Sequence, residues 1–148
     1  MTNTPENIVY TAVAQATGGR SGTSTSTDPD LSLDLRTPKS MGGRGDGTNP
    51  EQLFAMGYGA CFQGAMGLAA ADADAATKKA LRDSVVRTSV SLGPEGESFA
   101  IAVAIEVYVP GVELDAVQAL AERTHELCPY SKATRGNVPV TVKAIAAL

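Results

Sequence analysis

Hydrophobic and polar residues alternate along residues 8–16 and 31–36, with the period of two that a β-strand produces. Between these segments, residues 23–27 consist only of Thr and Ser, which is typical of a solvent-facing return strand. Gly18-Gly19 and Asp28-Pro29-Asp30 separate the three segments, and such residues favour tight turns. We therefore expect the chain to open with a three-stranded meander.

The pattern changes to that of a helix after a glycine-rich loop, residues 37–48. Asn49 is a suitable N-cap, Pro50 fits the first helical position, and Gln52 completes a capping-box-like pattern. The helix is expected to end near Ala71. Residues 53–71 carry no charge, but more than half of them are Ala or Gly, which gain little from leaving water. We therefore expect a buried central helix rather than a membrane span.

The rest of the chain alternates between helical and strand-like segments. We expect a lesser helix over 73–82, a hairpin of strands 85–92 and 99–109 around Gly93-Pro94-Glu95-Gly96, an amphipathic helix over 114–127 that Pro129 ends, and a last strand over 138–146. The order βββ-α-α-ββ-α-β predicts an α+β fold, with mostly antiparallel sheets packed around the central Ala/Gly-rich helix. The length, without any internal repeat, predicts one domain over residues 1–148.

Composition and charge exclude several classes of protein. The 148 residues are 43% apolar and 19% charged, which is a globular rather than a disordered balance. The net charge is −4 and no basic block exceeds Lys78-Lys79, so we expect no nucleic-acid partner. The first ten residues lack the basic and apolar regions of a secretory signal, so we expect a cytoplasmic protein without a membrane partner.

The chain has two cysteines, Cys61 and Cys128, and its single histidine is His125. A structural disulfide is not expected in the cytoplasm, where thiols are kept reduced. These three side chains lack the Cys-x-x-Cys spacing of a zinc site, and a histidine near a helix C-terminus is typically placed for the helix dipole. We therefore expect no metal. Two unrelated buried cysteines remain an alternative to a reactive pair.

A reactive Cys61 requires a cation from elsewhere in the fold. Cys61 lies in the middle of its helix among small and aromatic residues, where burial raises a thiol pKa. Arg20, in the first glycine-rich turn, is a candidate cation, and Glu51 is a candidate for holding its guanidinium. The alternative is that both charged residues are ordinary solvated surface residues.

Several sequence blocks resemble one known family. They are Ala16-Thr17-Gly18-Gly19-Arg20, Gly47-Thr48-Asn49-Pro50-Glu51-Gln52-Leu53-Phe54-Ala55, Gly57-Tyr58-Gly59-Ala60-Cys61-Phe62, Cys128-Pro129-Tyr130-Ser131 and Ala133-Thr134-Arg135-Gly136-Asn137. With these blocks, nearly the whole chain resembles the organic hydroperoxide resistance proteins, in the wider family that includes osmotically inducible peroxidases. Tyr130, after the Cys-Pro pair, favours the organic hydroperoxide resistance proteins over the osmotically inducible peroxidases. Lys132 and Gly59 depart from the usual Asn and Ala of the family.

The resemblance implies a cysteine-based thiol peroxidase that reduces organic hydroperoxides, including fatty-acid hydroperoxides, to alcohols in oxidative-stress defence. It assigns Cys61 as the peroxidatic cysteine, Cys128 as the resolving cysteine that forms a Cys61–Cys128 disulfide, and Arg20 with Glu51 as activating residues. It implies no bound cofactor. The reducing co-substrate is expected to be a dithiol, dihydrolipoamide or a lipoylated protein.

Two further expectations concern the pocket and the assembly. An apolar substrate pocket is expected from Phe54, Tyr58, Phe62, Met66 and Tyr130. Glu51 and Cys61 are ten residues apart on one helix, about 15 Å along its axis and about 80° around it. We therefore expect an intertwined homodimer in which Arg20 and Glu51 of one chain face Cys61 and Cys128 of the other, the alternative being a site formed within one chain.

Three alternatives to the peroxidase of this branch remain at this point. An osmotically induced-type peroxidase would have the same fold. A redox sensor would use the same disulfide without turnover, and a binder of apolar ligands would use the pocket without needing the cysteines.

Overall fold

The computed structural model describes residues 2–148, which form two three-stranded sheets and four helices. The α+β class and the predominance of antiparallel pairs are confirmed. The chain separates into two compact units, one ending at Leu53 and the other comprising Phe54–Leu148. No helix among the described residues combines the length and the apolar character needed to cross a membrane.

The first unit contains the expected meander. Strands β1 (Ala14–Thr17), β2 (Thr23–Ser26) and β3 (Leu31–Asp34) pair antiparallel in sequence order. Strand β1 starts later than predicted, and the segment before it is exposed, Val9 being 89% accessible. The last bond of the hairpin runs from the Thr27 N–H to the carbonyl oxygen of Val13, and the chain turns at Asp28-Pro29 before β2 could extend along residues 8–12.

Helix α1 (Pro50–Ala69) starts where the sequence predicts. The side-chain Oδ1 of Asn49 accepts a hydrogen bond of 2.9 Å from the backbone N–H of Gln52, which satisfies one of the unpaired donors of the first turn. Pro50 occupies the first helical position, where its missing N–H costs nothing. The helix then continues without interruption for 20 residues.

The second unit has a sheet of order β4-β5-β6. Strands β4 (Val85–Glu95) and β5 (Ser98–Tyr108) form a long antiparallel hairpin, and β6 (Val140–Ala144) lies parallel to β5. The turn is displaced to Gly96, with a φ of 55°, instead of starting at Gly93. The strand can include Pro94 because β4 is an edge strand, where a missing N–H is tolerated.

Three helices complete this unit: α2 (Ala75–Ala80), α3 (Leu114–Leu127) and α4 (Pro129–Thr134). Helix α3 packs against β5 and β6, as its amphipathic pattern requires. The sequence pattern does not predict helix α4, because a proline after an amphipathic segment is typical of a helix end. Pro129 also begins the new helix, and Cys128 joins the two in an extended conformation.

The core of the second unit lies between α1, β5 and α3. On β5 the buried residues alternate, with Val103, Ile105 and Val107 at most 4% exposed. They contact Phe62 of α1 and Ala121 of α3 in one cluster, to which Cys128 also belongs. The core therefore holds α1, which carries Cys61, and α3, which Cys128 follows directly.

Candidate active site

Arg20 lies in a turn that requires glycine. The short 3₁₀ turn Gly19–Ser21 connects β1 to β2, and Gly18 before it has a φ of 72°. A Cβ atom at Gly22 would lie 1.8 Å from the carbonyl oxygen of Thr17, so no other residue fits there. The glycines of this sequence block thus hold the backbone in the conformation that presents Arg20.

The guanidinium of Arg20 binds the carboxylate of Glu51 in a bidentate pair. Nη1 donates to Oε2 at 2.8 Å and Nη2 donates to Oε1 at 2.5 Å. These hydrogen bonds lower the pKa of Glu51 below its usual range and raise the pKa of Arg20. The structure therefore pairs Arg20 with Glu51, the two residues that the sequence resemblance assigns to activation, and both are charged at neutral pH.

Cys61 and Cys128 are also brought together, as free thiols whose Sγ atoms are 3.7 Å apart. Cys61 is partly buried on α1, whereas Cys128 is fully buried between α3 and α4. A disulfide has an S–S bond of about 2.05 Å, so bond formation requires an approach of under about 2 Å. The positions of the thiols thus suit a bond between them.

Burial raises the pKa of the Cys61 thiol, and the nearby Cys128 thiol adds to that effect. The backbone N–H of Tyr130 acts in the opposite direction, because its hydrogen bond to the Cys61 sulfur stabilises the thiolate. These three influences all come from residues 54–148, and none of them is a positive charge. Within the second unit, burial is the largest of these influences, so the pKa of Cys61 is raised above its usual value.

Three aromatic residues of the expected pocket form one cluster. The ring centroids of Phe54 and Tyr58 are 5.9 Å apart, and Tyr130 lies 6.1 Å from Phe54 and 5.7 Å from Tyr58. Gly57 makes room for this packing, since a Cβ atom there would lie 3.0 Å from the hydroxyl of Tyr130. Phe54 and Tyr130 keep exposed surface, whereas Tyr58 has none.

Phe62 and Met66, the other two residues expected in the pocket, lie in the core instead. They are 0% and 1% exposed, so they have no free surface for a substrate. Tyr58, Phe62 and Met66 follow one another at intervals of four residues, which places all three side chains on the inward face of α1. This corrects the five-residue pocket: three residues cluster together, and the other two support the helix from inside.

The sequence pattern does not predict a hydrogen-bonded chain of side chains that the structure contains. The hydroxyl of Tyr58 is 2.9 Å from Ser131 Oγ and 3.1 Å from Thr134 Oγ1, and Ser131 Oγ is 2.7 Å from Nδ1 of His125. Burial, and the positive charge of Arg135, lower the pKa of His125. Hydroxyl groups have no periodic signature, so only the inclusion of Tyr58 and Ser131 in the quoted blocks hinted at such a role.

The two departures from the family pattern lie where they disturb little. A Cβ atom at Gly59 would be 3.0 Å from Thr88 Oγ1, a buried hydroxyl that has no hydrogen-bond partner among residues 2–148, so glycine leaves room for Thr88. Lys132 is exposed on α4.

Comparison with known proteins gives the family of this chain. The model of the OsmC-like protein family matches residues 43–143. An organic hydroperoxide resistance protein of Xanthomonas axonopodis pv. citri (strain 306) is 48% identical over 140 residues, covering 93% of this chain and 96% of that protein. Organic hydroperoxide resistance protein OhrB of Bacillus subtilis (strain 168) is 40% identical over 137 residues, covering 91% and 97%.

A solved structure gives the same result for the fold. The crystal structure of an organic hydroperoxide resistance protein OsmC from Legionella pneumophila aligns with a TM-score of 0.83 and 41% identity, covering 95% of this chain and all of that one. The fold and the paired cysteines thus define an OsmC-like protein. Within that class, the chain belongs to the family of organic hydroperoxide resistance proteins. The resemblance found in the sequence is confirmed.

Proposed function

We propose that this protein is a cysteine-based peroxidase that reduces organic hydroperoxides to alcohols. The observation that carries the proposal is the 3.7 Å separation of the Cys61 and Cys128 sulfurs, in a chain whose relatives are named for organic hydroperoxide resistance. The Cys61 thiolate attacks the distal peroxide oxygen and the O–O bond breaks. The alkoxide leaves and takes up a proton to become the alcohol, and Cys61 becomes a sulfenic acid.

Cys128 then resolves the sulfenic acid. Its sulfur attacks the Cys61 sulfur, the S–S bond forms, the S–O bond breaks, and the hydroxyl group leaves as water with the thiol proton. A dithiol such as dihydrolipoamide, free or attached to a lipoylated protein, reduces the disulfide. Because Cys61 is partly accessible and Cys128 is fully buried, the reductant reaches the Cys61 sulfur first.

The Arg20–Glu51 pair supplies the charge that Cys61 lacks in its own unit. Within one continuous helix, Glu51 and Cys61 are separated by about 15 Å along the axis at 1.5 Å per residue. A second copy of the chain solves this difficulty if its α1 packs antiparallel to the first. Each Cys61 is then activated by Arg20 of the partner subunit, which Glu51 of the partner subunit holds in place.

One face of α1 suits that contact. It is uncharged and exposed, and its residues follow a helical stripe: Met56, Ala60, Gln63, Gly64, Gly67 and Leu68. Gly57 does not belong to this face, because it packs against Tyr130. Antiparallel helices that set Glu51 beside Cys61 cross at residue 56, midway between the two. We therefore propose that the first part of this face, at Met56 and Ala60, forms the two-fold homodimer contact.

The accessible surfaces of Phe54 and Tyr130, backed by Tyr58, receive the apolar tail of the substrate. Each methylene group that leaves water there contributes about 0.8 kcal/mol at most. Organic and fatty-acid hydroperoxides therefore fit this surface better than hydrogen peroxide.

Substitution of Cys61 and substitution of Cys128 are expected to stop the reaction at different steps. Cys61→Ser should abolish consumption of tert-butyl hydroperoxide, because no nucleophile remains. Cys128→Ser should consume about one equivalent and leave Cys61 as a sulfenic or over-oxidised acid, visible by intact mass. Normal cycling of Cys128→Ser with dihydrolipoamide would refute the resolving role. Wild-type protein that consumes one equivalent but does not turn over with excess dihydrolipoamide would be a sensor instead.

Substrate choice tests the aromatic surface. The kcat/KM for a fatty-acid hydroperoxide should exceed that for hydrogen peroxide by orders of magnitude. Phe54→Ala should reduce the value for the fatty-acid hydroperoxide by about tenfold, a loss of roughly 1.4 kcal/mol, while changing that for hydrogen peroxide little. Phe99→Ala, which removes the same ring from an exposed position at the start of β5 and outside the aromatic cluster, serves as the matched control. Equal kcat/KM values for the two peroxides would refute the apolar surface.

Mixed dimers test the shared site. Cys61→Ser chains and Arg20→Ala chains are each expected to be inactive, or nearly so, alone. When they are combined, each heterodimer contains one complete site only if Arg20 acts across the interface, so about half of the wild-type activity per heterodimer should return. Heterodimers confirmed by native mass spectrometry that recover no activity would show that each chain builds its own site.

A further inference from the structure

Four side chains form a hydrogen-bonded chain that joins three helices of the second unit. It runs from His125 on α3 to Ser131 on α4, then to Tyr58 on α1, and ends at Thr134 on α4. Tyr58, Ser131 and Thr134 are at most 4% exposed, so solvent does not compete for their hydrogen bonds. The chain is not part of the chemistry described above.

The protons in this chain have a preferred direction. Thr134 Oγ1 donates to the carbonyl oxygen of Ser131 at 3.2 Å, so toward Tyr58 it can only accept. Tyr58 therefore donates to Thr134 and accepts from Ser131, which leaves Ser131 to accept from Nδ1–H of His125. The reverse direction would lose the bond to the Ser131 carbonyl. Nδ1 thus carries a proton in both the neutral and the charged imidazole.

The chain connects the two segments that carry the thiols. Tyr58 precedes Cys61 by three residues on α1, and Ser131 follows Cys128 by three residues in the first turns of α4. Between them, the backbone N–H of Tyr130 contacts the Cys61 sulfur. Without the bond from His125, Ser131 keeps its bond to Tyr58, but α4 loses a side-chain link to α3 beside Cys128, the residue that joins the two helices. Cys61 stays anchored in the core helix.

We infer that His125 is a positioning residue for the resolving step: its Nδ1–H bond to Ser131 holds Cys128 within bonding reach of the Cys61 sulfenic acid. This inference rests on the proposed peroxidase cycle. His125 itself transfers no proton, because the proton of the Cys128 thiol leaves with the hydroxyl group as water. A second hydroperoxide competes by oxidising the sulfenic acid to a sulfinic acid, so His125 sets the ratio of disulfide to sulfinic acid.

Three substitutions separate positioning from other roles. The amide nitrogen of Asn can take the place of Nδ1, whereas that of Gln corresponds to Nε2, and Ala provides no donor. With tert-butyl hydroperoxide in excess, His125→Ala and His125→Gln should raise the sulfinic fraction per turnover about three- to tenfold, the factor that one ordinary hydrogen bond represents. His125→Asn should stay close to the wild type. The rate of the first thiol oxidation should be the same in all four proteins.

Further measurements distinguish loss of this hydrogen bond from a general loss of structure. Ser131→Ala removes the acceptor of the same bond, so it should give a similar increase, and the double variant His125→Ala/Ser131→Ala should add little more. The ratio in the wild type should stay flat through the titration of His125, since Nδ1 donates in both forms. Melting temperatures of the Asn and Gln variants provide the check on folding.

The outcomes are distinct. If wild-type protein forms no disulfide with hydroperoxide, the proposed cycle fails and this inference fails with it. If the disulfide forms and the Ala and Gln variants partition as the wild type does, only the inference is overturned. It is also overturned if His125→Asn is as impaired as His125→Ala and the ratio follows the imidazole titration, because His125 would then act as a base.

Discussion

Partial burial of the Cys61 thiol in the uncharged part of α1, after Glu51, is the constraint on which the rest of the site depends. The thiolate is the reactive form, yet removing a thiol from water favours the neutral form. The same absence of charge lets this part of α1 lie in the core of the second unit, with Tyr58, Phe62 and Met66 fully buried along its inward face. The helix thus partly buries Cys61 without the means to ionise it.

Compensation for burial has to come from other segments of the protein. One contribution is the backbone N–H of Tyr130, the second residue of α4, which lowers the pKa of Cys61. The other is the Arg20–Glu51 pair, which depends on a turn where Gly22 has no substitute. In our proposal a second subunit brings that pair to Cys61. Arg is suited to this position, because a planar guanidinium can bind a carboxylate with two donors and still face a sulfur atom.

The sequence predicts the elements that local rules control. Alternation predicts the strands, the Asn49 cap and Pro50 locate the start of α1, and amphipathic spacing predicts α3, so the fold class follows from the pattern. The pairing of Arg20 with Glu51, and of Cys61 with Cys128, follows from the family resemblance. Interactions between distant segments are harder to predict from the sequence. Pro129 is compatible with both the end of one helix and the start of another, and closeness to Cys61 in sequence does not reveal which face Phe62 occupies. The bond between His125 and Ser131 likewise exists only once α3 and α4 have packed.

The most direct test of this account is the pKa of Cys61, followed by thiolate absorbance against pH in the Cys128→Ser background, where one thiol titrates. The account predicts a pKa below the usual value of about 8.5 for a cysteine. Adding Arg20→Ala should move it above that value, because burial then acts without the opposing charge, and reaction with hydroperoxide at neutral pH should slow in parallel. A titration that Arg20→Ala leaves unchanged would contradict the claim that Arg20 ionises Cys61.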